Sequence, residues 1–509
     1  MELMNDPSPP SGAIRDRTIR WMLITGSFSS FVALFFTKGL GLVESVFVAR
    51  ILGSYDFGVI ALVLAVTNLT SAVGTLGIPS ALRKFISGEA NSQLAASSTL
   101  RTAWHFTAAA SLGTGLISIL VVLLASPLLP DSRLASFLAL GIGITALSGP
   151  IVLFTSALQG LGQITQLNVR VTASAALGLA LVVILSFFLS TPGAIAGILL
   201  ATAVPGVLCL RAVIRAIKEL PNRSEARTIG IRDLMGYGLP WLISGLVVLS
   251  ALYLLNSYLA SKLGFSELGT FAVAVTLANA ITFIPLAIAA PLVPIVSSLG
   301  VNEPVRGKAL VPRVMRVTVF MCVPIVCIAI VFSKDIVRLT YGDGMAEAAP
   351  LLSIMAMGTL VTAVSSVIGT HLTGIGRMWF GLLLNGSWSL ATLAISFVLV
   401  GQVGAIGASI GMTMGNVTLT VVSFVIGRRV LGLHFPGVMF PSLWAAAVIG
   451  LAQLVSVTPT EFSFSLGAGL TVGATLSAIA LMDANERSML RELVGRARYW
   501  IGFSGKEEV

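Results

Sequence analysis

Glu44 and Lys38 lie six residues apart inside a long apolar run, where a charge is costly unless it serves a purpose. Ser27, Ser30, Thr37, Gly41 and Glu44 follow spacings of 3, 7, 4 and 3, which is one face of a helix with Lys38 on its flank. Such a face suits the wall of a water-filled cavity between two lobes. Glu44 has the chemistry of a proton- or cation-coupling group; a simple interfacial pair with Lys38 or Arg50 is the competing reading. Lys38 offers a point charge to an anionic head group, or else snorkels to the outer surface.

Asn68 and Asn279 are 211 residues apart and, with Thr67, Ser71, Thr75, Thr276 and Thr282 around them, could line a cavity suited to sugar hydroxyls. Hydrogen bonding between helices, common for such residues in membranes, is the stronger competing reading for any one of them. Asn385 and Asn416 are lesser candidates of the same kind. Gln166, Arg170 and Ser174 share a helix face through spacings of four. Arg170 either attracts a phosphate from the cytoplasmic vestibule or anchors its helix at the interface. His105, His371 and His434 are isolated, the three cysteines fall inside apolar runs, and there is no HExxH, CxxC, GxSxG or phosphate-cradling Gly-Lys-Ser/Thr element. No catalytic constellation and no metal site is expected, so the reading is of a protein that is not an enzyme and has no cofactor beyond a coupling H+ or Na+.

The elements that must position these residues follow from composition. Of the residues 56% are apolar and only 10% charged, with a mean hydropathy of +0.97. Soluble domains carry roughly 25% charged residues. Apolar runs of about 20 residues, enough to cross roughly 30 Å of hydrocarbon, recur from Trp21 to Met482. Backbone amides in lipid must bond within their own segment, and the runs are too long for barrel strands. The expected fold is an all-α polytopic membrane protein with about fourteen transmembrane helices, the first at about 20–44 and the second at about 57–80.

Sorting the 31 Lys and Arg by loop places 25 on one side of the membrane, 5 on the other and Lys38 within the first helix. That asymmetry predicts cytoplasmic N- and C-termini. It also explains the net charge of +10 by topology and contact with an anionic leaflet, leaving nucleic acid out. Loops on the outer side are short and hold no soluble domain. A glycosyltransferase or polymerase would need a sizeable outer loop with clustered carboxylates, which is absent.

The chain repeats itself. ARILGSYDFG at 49–58 returns as ASKLGFSELG at 260–269, offset by 211 residues. LQGLGQ at 158–163 matches LTGIGR at 372–377 with an offset of 214, and GAIAG at 193–197 matches GAIGA at 404–408 with 211. Gly53 and Gly264 read as turn residues, and Asp56 and Glu267 as carboxylates in the first turn of the following helix. The resulting organisation is a cytoplasmic segment 1–19, an N-lobe of helices 1–6 at 20–218, a basic linker 219–233, a C-lobe of helices 7–12 at 234–429, helices 13–14 at 430–483 and a basic amphipathic tail 484–509. Two six-helix units in the same orientation follow the parallel-repeat plan of many secondary transporters. Pro285, Pro291 and Pro294 are expected to interrupt helix 8, and Pro240 and Pro324 to bend helices 7 and 9.

Those three repeated elements resemble the polysaccharide or oligosaccharide flippase family, over roughly residues 20–429. The family's superfamily also holds the multidrug and toxin extruders and the lipid II flippases. The resemblance implies a protein of the cell inner membrane that flips a polyprenyl-pyrophosphate-linked oligosaccharide to the outer leaflet, by rocking of lobes coupled to an ion gradient. Membrane lipids and other polysaccharide-assembly proteins are the implied partners. Basic cavity residues that hold the pyrophosphate in the family fall here on Lys38 and Arg170, and the cavity looks poor in Arg and Lys for that substrate. A multidrug or cation antiporter, or a lipid II flippase, is the alternative within the superfamily.

Overall fold

A backbone without water must bond to itself, and every regular element among the described residues is helical. The computed structural model describes residues 11–87, 92–128, 131, 133–221, 229–289, 304–374, 379–433, 435, 437–457, 460–482 and 487. Arg223 and Arg227 of the linker, Pro291, Pro294, the end of the second LxGxG element, His434 and the expected tail helix lie outside the described residues. So do the side chains of Ser27, Ser30 and Pro285.

In chain order the helices are α1 (Ser11–Thr75), α2 (Ile78–Ser87), α3 (Gln93–Ala125), α4 (Leu134–Ser148), α5 (Leu153–Gly160) and α6 (Ile164–Lys218). They continue as α7 (Ile231–Leu263), α8 (Phe265–Ala289), α9 (Pro304–Val331), α10 (Ser333–Tyr341) and α11 (Ala348–Gly374). The last are α12 (Trp379–Val403), α13 (Ala405–Arg429), α14 (Met439–Val457) and α15 (Thr460–Leu481). Among the described residues ten helices are long and apolar enough to cross a membrane. Two of them hold two crossings each. The apolar part of α1 runs 44 residues and α6 runs 55, about 66 and 82 Å at roughly 1.5 Å per residue. α1 breaks at Gly53 (φ 80°, ψ 178°) and α6 at Ser190 (φ 52°, ψ −134°). With the two shorter apolar helices at Pro441–Ser456 and Ser465–Leu481, the described residues supply fourteen spans.

The first helix does not end near Glu44. It runs unbroken to Gly53, which sets Glu44 about 14 Å inside it. The reason is that Ser45 to Leu52 remain good helix material, and only the left-handed backbone of Gly53 stops them. Pro240 and Pro324, expected to bend their helices, sit within continuous helices.

The chain divides into two compact units. The first comprises residues up to Val48 and Val66–Leu246. Its core gathers on α2, whose Ile78, Leu82, Phe85 and Ile86 are buried against Leu153, Leu158, Val213 and Leu234. At the edge of this core Lys84 places Nζ 4.2 Å from the centre of the Tyr237 ring, which also packs against Phe85. The second unit comprises Ala49–Ala65 and everything from Val247. α9 and α11 supply its core through Val319, Val323, Ile330, Val367 and Ile368. The last two helices pack on it: Phe320 meets Trp444 with ring centres 5.6 Å apart, and the Ser353 hydroxyl lies 2.8 Å from Gln453 Oε1.

The repeat is visible as packing. In the first unit a Cβ at Gly193 would lie 1.9 Å from Leu185 O, and one at Gly197 would lie 2.7 Å from Val182 Cα. In the second unit Gly407 stands in the same way against Leu399, and Gly411 against Ser396. Each of these pairs is the other shifted by 214 residues. Ser190 and Gly404 (φ 61°, ψ −145°) are related by the same shift. The counterpart of Gly193 is therefore Gly407, and the GAI match at an offset of 211 is out of register by three residues. Letter similarity picked the wrong glycine because small residues recur every three or four positions along these faces.

Candidate functional site

The second unit holds an open cavity of about 280 Å³ walled by α7, α8, α11, α12 and α13. Its polar wall is made of amides, hydroxyls and one indole, and none of its lining residues is ionisable. Met355, Met412, Val248 and Val275 complete it with apolar surface.

The helices hold these groups in defined roles. Thr282 donates its hydroxyl proton to Asn279 O at 2.7 Å, Thr359 to Ala356 O at 2.7 Å, and Thr362 to Gly358 O at 3.0 Å. Thr413 donates to Ile354 O at 3.0 Å, tying α13 to α11. With their protons committed to backbone carbonyls, these threonines offer lone pairs to the cavity. The Trp388 indole N–H donates to Asn416 Oδ1 at 2.8 Å, fixing the ring and leaving the Asn416 amide nitrogen as a donor. Gly358 gives that amide room, since a Cβ there would lie 2.9 Å from Asn416 Nδ2. The Asn279 side chain is exposed and has no hydrogen-bond partner among the described residues.

Of the residues singled out by sequence, Asn279, Asn385, Asn416 and Thr282 come together here. Lys38, Glu44, Thr67, Asn68, Ser71, Thr75, Gln166, Arg170 and Ser174 belong to the first unit, and Thr276 lies in the second without lining the cavity. Lys38 and Asn68 are exposed, and Glu44 is half-buried with no hydrogen bond or ion pair among the described residues. Thr37 donates to Ala33 O at 2.6 Å, so that hydroxyl is satisfied along its own helix. Arg170 is half-buried and donates to Gln166 O at 2.8 Å, the preceding turn of α6. Arg50 donates to the carbonyls of Leu339 and Thr340, where a cation meets the exposed acceptors at the C-terminal end of α10.

Sequence reasoning missed Trp388, Thr359 and Thr362. Asn385 and Trp388 are three apart, as are Thr359 and Thr362, so each pair shares a helix face. The signal was present but diluted, because tryptophans at Trp21, Trp241 and Trp379 fit an interfacial belt and drew attention from the one in mid-span.

A model of the family described as polysaccharide biosynthesis protein matches residues 47–350. No curated protein matches the sequence. Among solved structures, the inward closed conformation of the lipid II flippase MurJ is similar over 90% of this chain and 99% of its own, with a TM-score of 0.66 at 15% identity. An inward-facing multidrug resistance MATE family transporter of the MOP superfamily is similar over 81% and 99%, with a TM-score of 0.60 at 16% identity. A MOP superfamily transporter from Pyrococcus furiosus gives a TM-score of 0.58 at 14% identity over 85% and 96%. At these identities the likeness is one of fold, and it accounts for the helix count and the repeated halves. The match over more than half of the sequence means that the chain belongs to the polysaccharide biosynthesis protein family.

Proposed function

We propose that the protein flips a polyprenyl-pyrophosphate-linked oligosaccharide from the cytoplasmic to the outer leaflet of the cell inner membrane, for cell-surface polysaccharide assembly, and draws on an ion gradient to do so. The observation that carries this reading is the uncharged cavity of amides, hydroxyls and an indole inside a membrane-spanning unit. Sugars present hydroxyls and weakly polar ring faces, and a site with fixed amide and hydroxyl partners can replace the water they lose. The protein is a carrier and not an enzyme in this reading.

The roles divide by charge. Lys38 and Arg170 meet the pyrophosphate, as cations do phosphates. Asn68 and Asn279 meet sugar hydroxyls. Glu44, well inside its helix and without an ionic partner among the described residues, takes the coupling ion. Parallel repeats with alternating exposure of a site are how folds of this plan move substrate.

The test is translocation by the full-length protein in vesicles loaded on one leaflet with polyprenyl-pyrophosphate N-acetylglucosamine. Protection of the sugar from an external glycan-modifying reagent should change with time only in vesicles that hold the protein, and faster with an imposed proton or sodium gradient. Movement of a lipophilic cation with no movement of the glycolipid would replace this reading with the antiporter one.

A further inference from the structure

We infer that the cavity of the second unit is a subsite for an uncharged sugar ring of the head group, with Trp388 as stacking platform and Asn279 as selecting amide. The inference rests on the glycolipid reading above and adds which part of the substrate goes there and which sugars are refused.

Size and chemistry set the occupant. About 280 Å³ is at the small end of the roughly 300–1,000 Å³ of small-molecule sites, room for about one or two sugar rings and not for a whole oligosaccharide. The walls hold acceptors from Thr282, Thr359 and Thr362, donors from Asn279 and Asn416, and an aromatic ring, which is the mixture of groups a pyranose offers in reverse. The axial C–H groups of a pyranose make an apolar face for an indole to cover, and the equatorial hydroxyls lie in the ring plane. The Trp388 ring cannot turn freely, because its N–H is held by Asn416. No lining group can neutralise a phosphate or a carboxylate, so an anion there would lose its water without compensation. The pyrophosphate must sit elsewhere.

Helix packing alone does not explain the set. The first repeat packs its equivalent helices through the same glycine contacts, shifted by 214 residues. At that shift Asn385, Trp388 and Asn416 correspond to Val171, Ser174 and Thr202. The fold is built once without an indole and two amides and once with them. Asn279 adds an exposed amide with no hydrogen-bond partner among the described residues, which leaves its donors and its acceptor open to a ligand.

Depth agrees. Asn279 is 14 residues from the start of α8 at Phe265, and Trp388 is nine from the start of α12 at Trp379, about 21 and 14 Å along their helices. These distances put the cavity well inside a layer of roughly 30 Å.

The experiment titrates the full-length protein in lipid nanodiscs with three probes: bare polyprenyl pyrophosphate, the same lipid bearing one N-acetylglucosamine, and the same lipid bearing one glucuronate. Wild type should bind the N-acetylglucosamine lipid about tenfold more tightly than either other probe. N279A and W388L should each bring that affinity down to the level of the bare lipid and leave bare-lipid binding unchanged. N279A removes no hydrogen bond among the described residues, so its result stands even if W388L folds poorly. Unchanged preference in N279A, or equal wild-type affinity for the neutral and the acidic sugar, would overturn the subsite and leave the flippase reading intact. Failure of wild type to bind any of the three lipids would defeat both.

Discussion

Ser190 has a φ of 52° and a ψ of −134°, a backbone region that a side chain enters at a cost of about 1–3 kcal/mol. Its counterpart in the second half of the chain, Gly404, takes nearly the same angles without a Cβ. Ser190→Gly should therefore raise stability by about 1 kcal/mol, read as a higher midpoint of thermal unfolding in detergent. Leu76, with a φ of 51°, is the other side chain in this region, and it directly precedes Gly77, whose Cβ would lie 2.2 Å from Gly238 O. Much at this scale could be read from sequence. Asn279 was marked by its spacing and Glu44 by the expense of a carboxylate in lipid. Trp388 was not, because an indole is at home in an interface as well as in a site, and only the contact with Asn416 separates the two.

Along the helices the determining residues are small. Gly407, Gly411 and Gly415 face Leu399, Ser396 and Thr392 at four-residue steps, and close approach of the two backbones replaces the hydrophobic drive that lipid abolishes. A Cβ at Gly411 would lie 2.0 Å from Ser396 Oγ. Gly411→Leu is expected to destabilise the protein by about 3 kcal/mol or to prevent its accumulation in the membrane. Gly469→Ala, in α15 with nothing within 4 Å of the new methyl, is expected to be neutral or to stabilise by up to about 1 kcal/mol. Comparing the two in one thermal assay separates crowding from helix propensity. Element type was legible because apolar length speaks plainly. Element ends were less so: nothing in Ser45 to Leu52 announces whether the chain stops or continues, and the answer lies in the φ of a single glycine at position 53. The register of the repeat was legible at ARILGSYDFG and misread at GAIAG, where one small residue looks much like the next.

For the molecule as a whole, loop charge predicts which ends face the cytoplasm. In spheroplasts, a cysteine introduced at Lys218 in a background freed of Cys209, Cys322 and Cys327 should resist an impermeant maleimide until the membrane is opened, and one at Ser126 should react at once. All three native thiols are buried and should stay silent as they stand. If Glu44 couples the ion, Glu44→Gln should bind glycolipid like wild type and flip it at a rate that no longer responds to the gradient, a loss of about tenfold or more under gradient-driven conditions. The number of helices, their repetition and their membrane character were all open to reading, since each depends on composition summed over many residues. Which polar groups share one cavity was not, because that depends on the rotation of five helices about their own axes. One contact joins the two copies of the repeated motif. A Cβ at Gly58 would lie 1.9 Å from Phe265 O, a Cβ at Gly269 would lie 1.9 Å from Ser54 O, and the hydroxyls of Ser54 and Ser266 are 2.8 Å apart. Shifted by 211, Gly58 becomes Gly269 and Ser54 becomes Phe265, so each glycine faces its own duplicate's surroundings. The two copies of the motif meet reciprocally, as the two sides of an isologous contact do. Around that crossing both copies of the motif keep the glycine, while Tyr55 stands opposite Ser266 and Asp56 opposite Glu267 in the repeat.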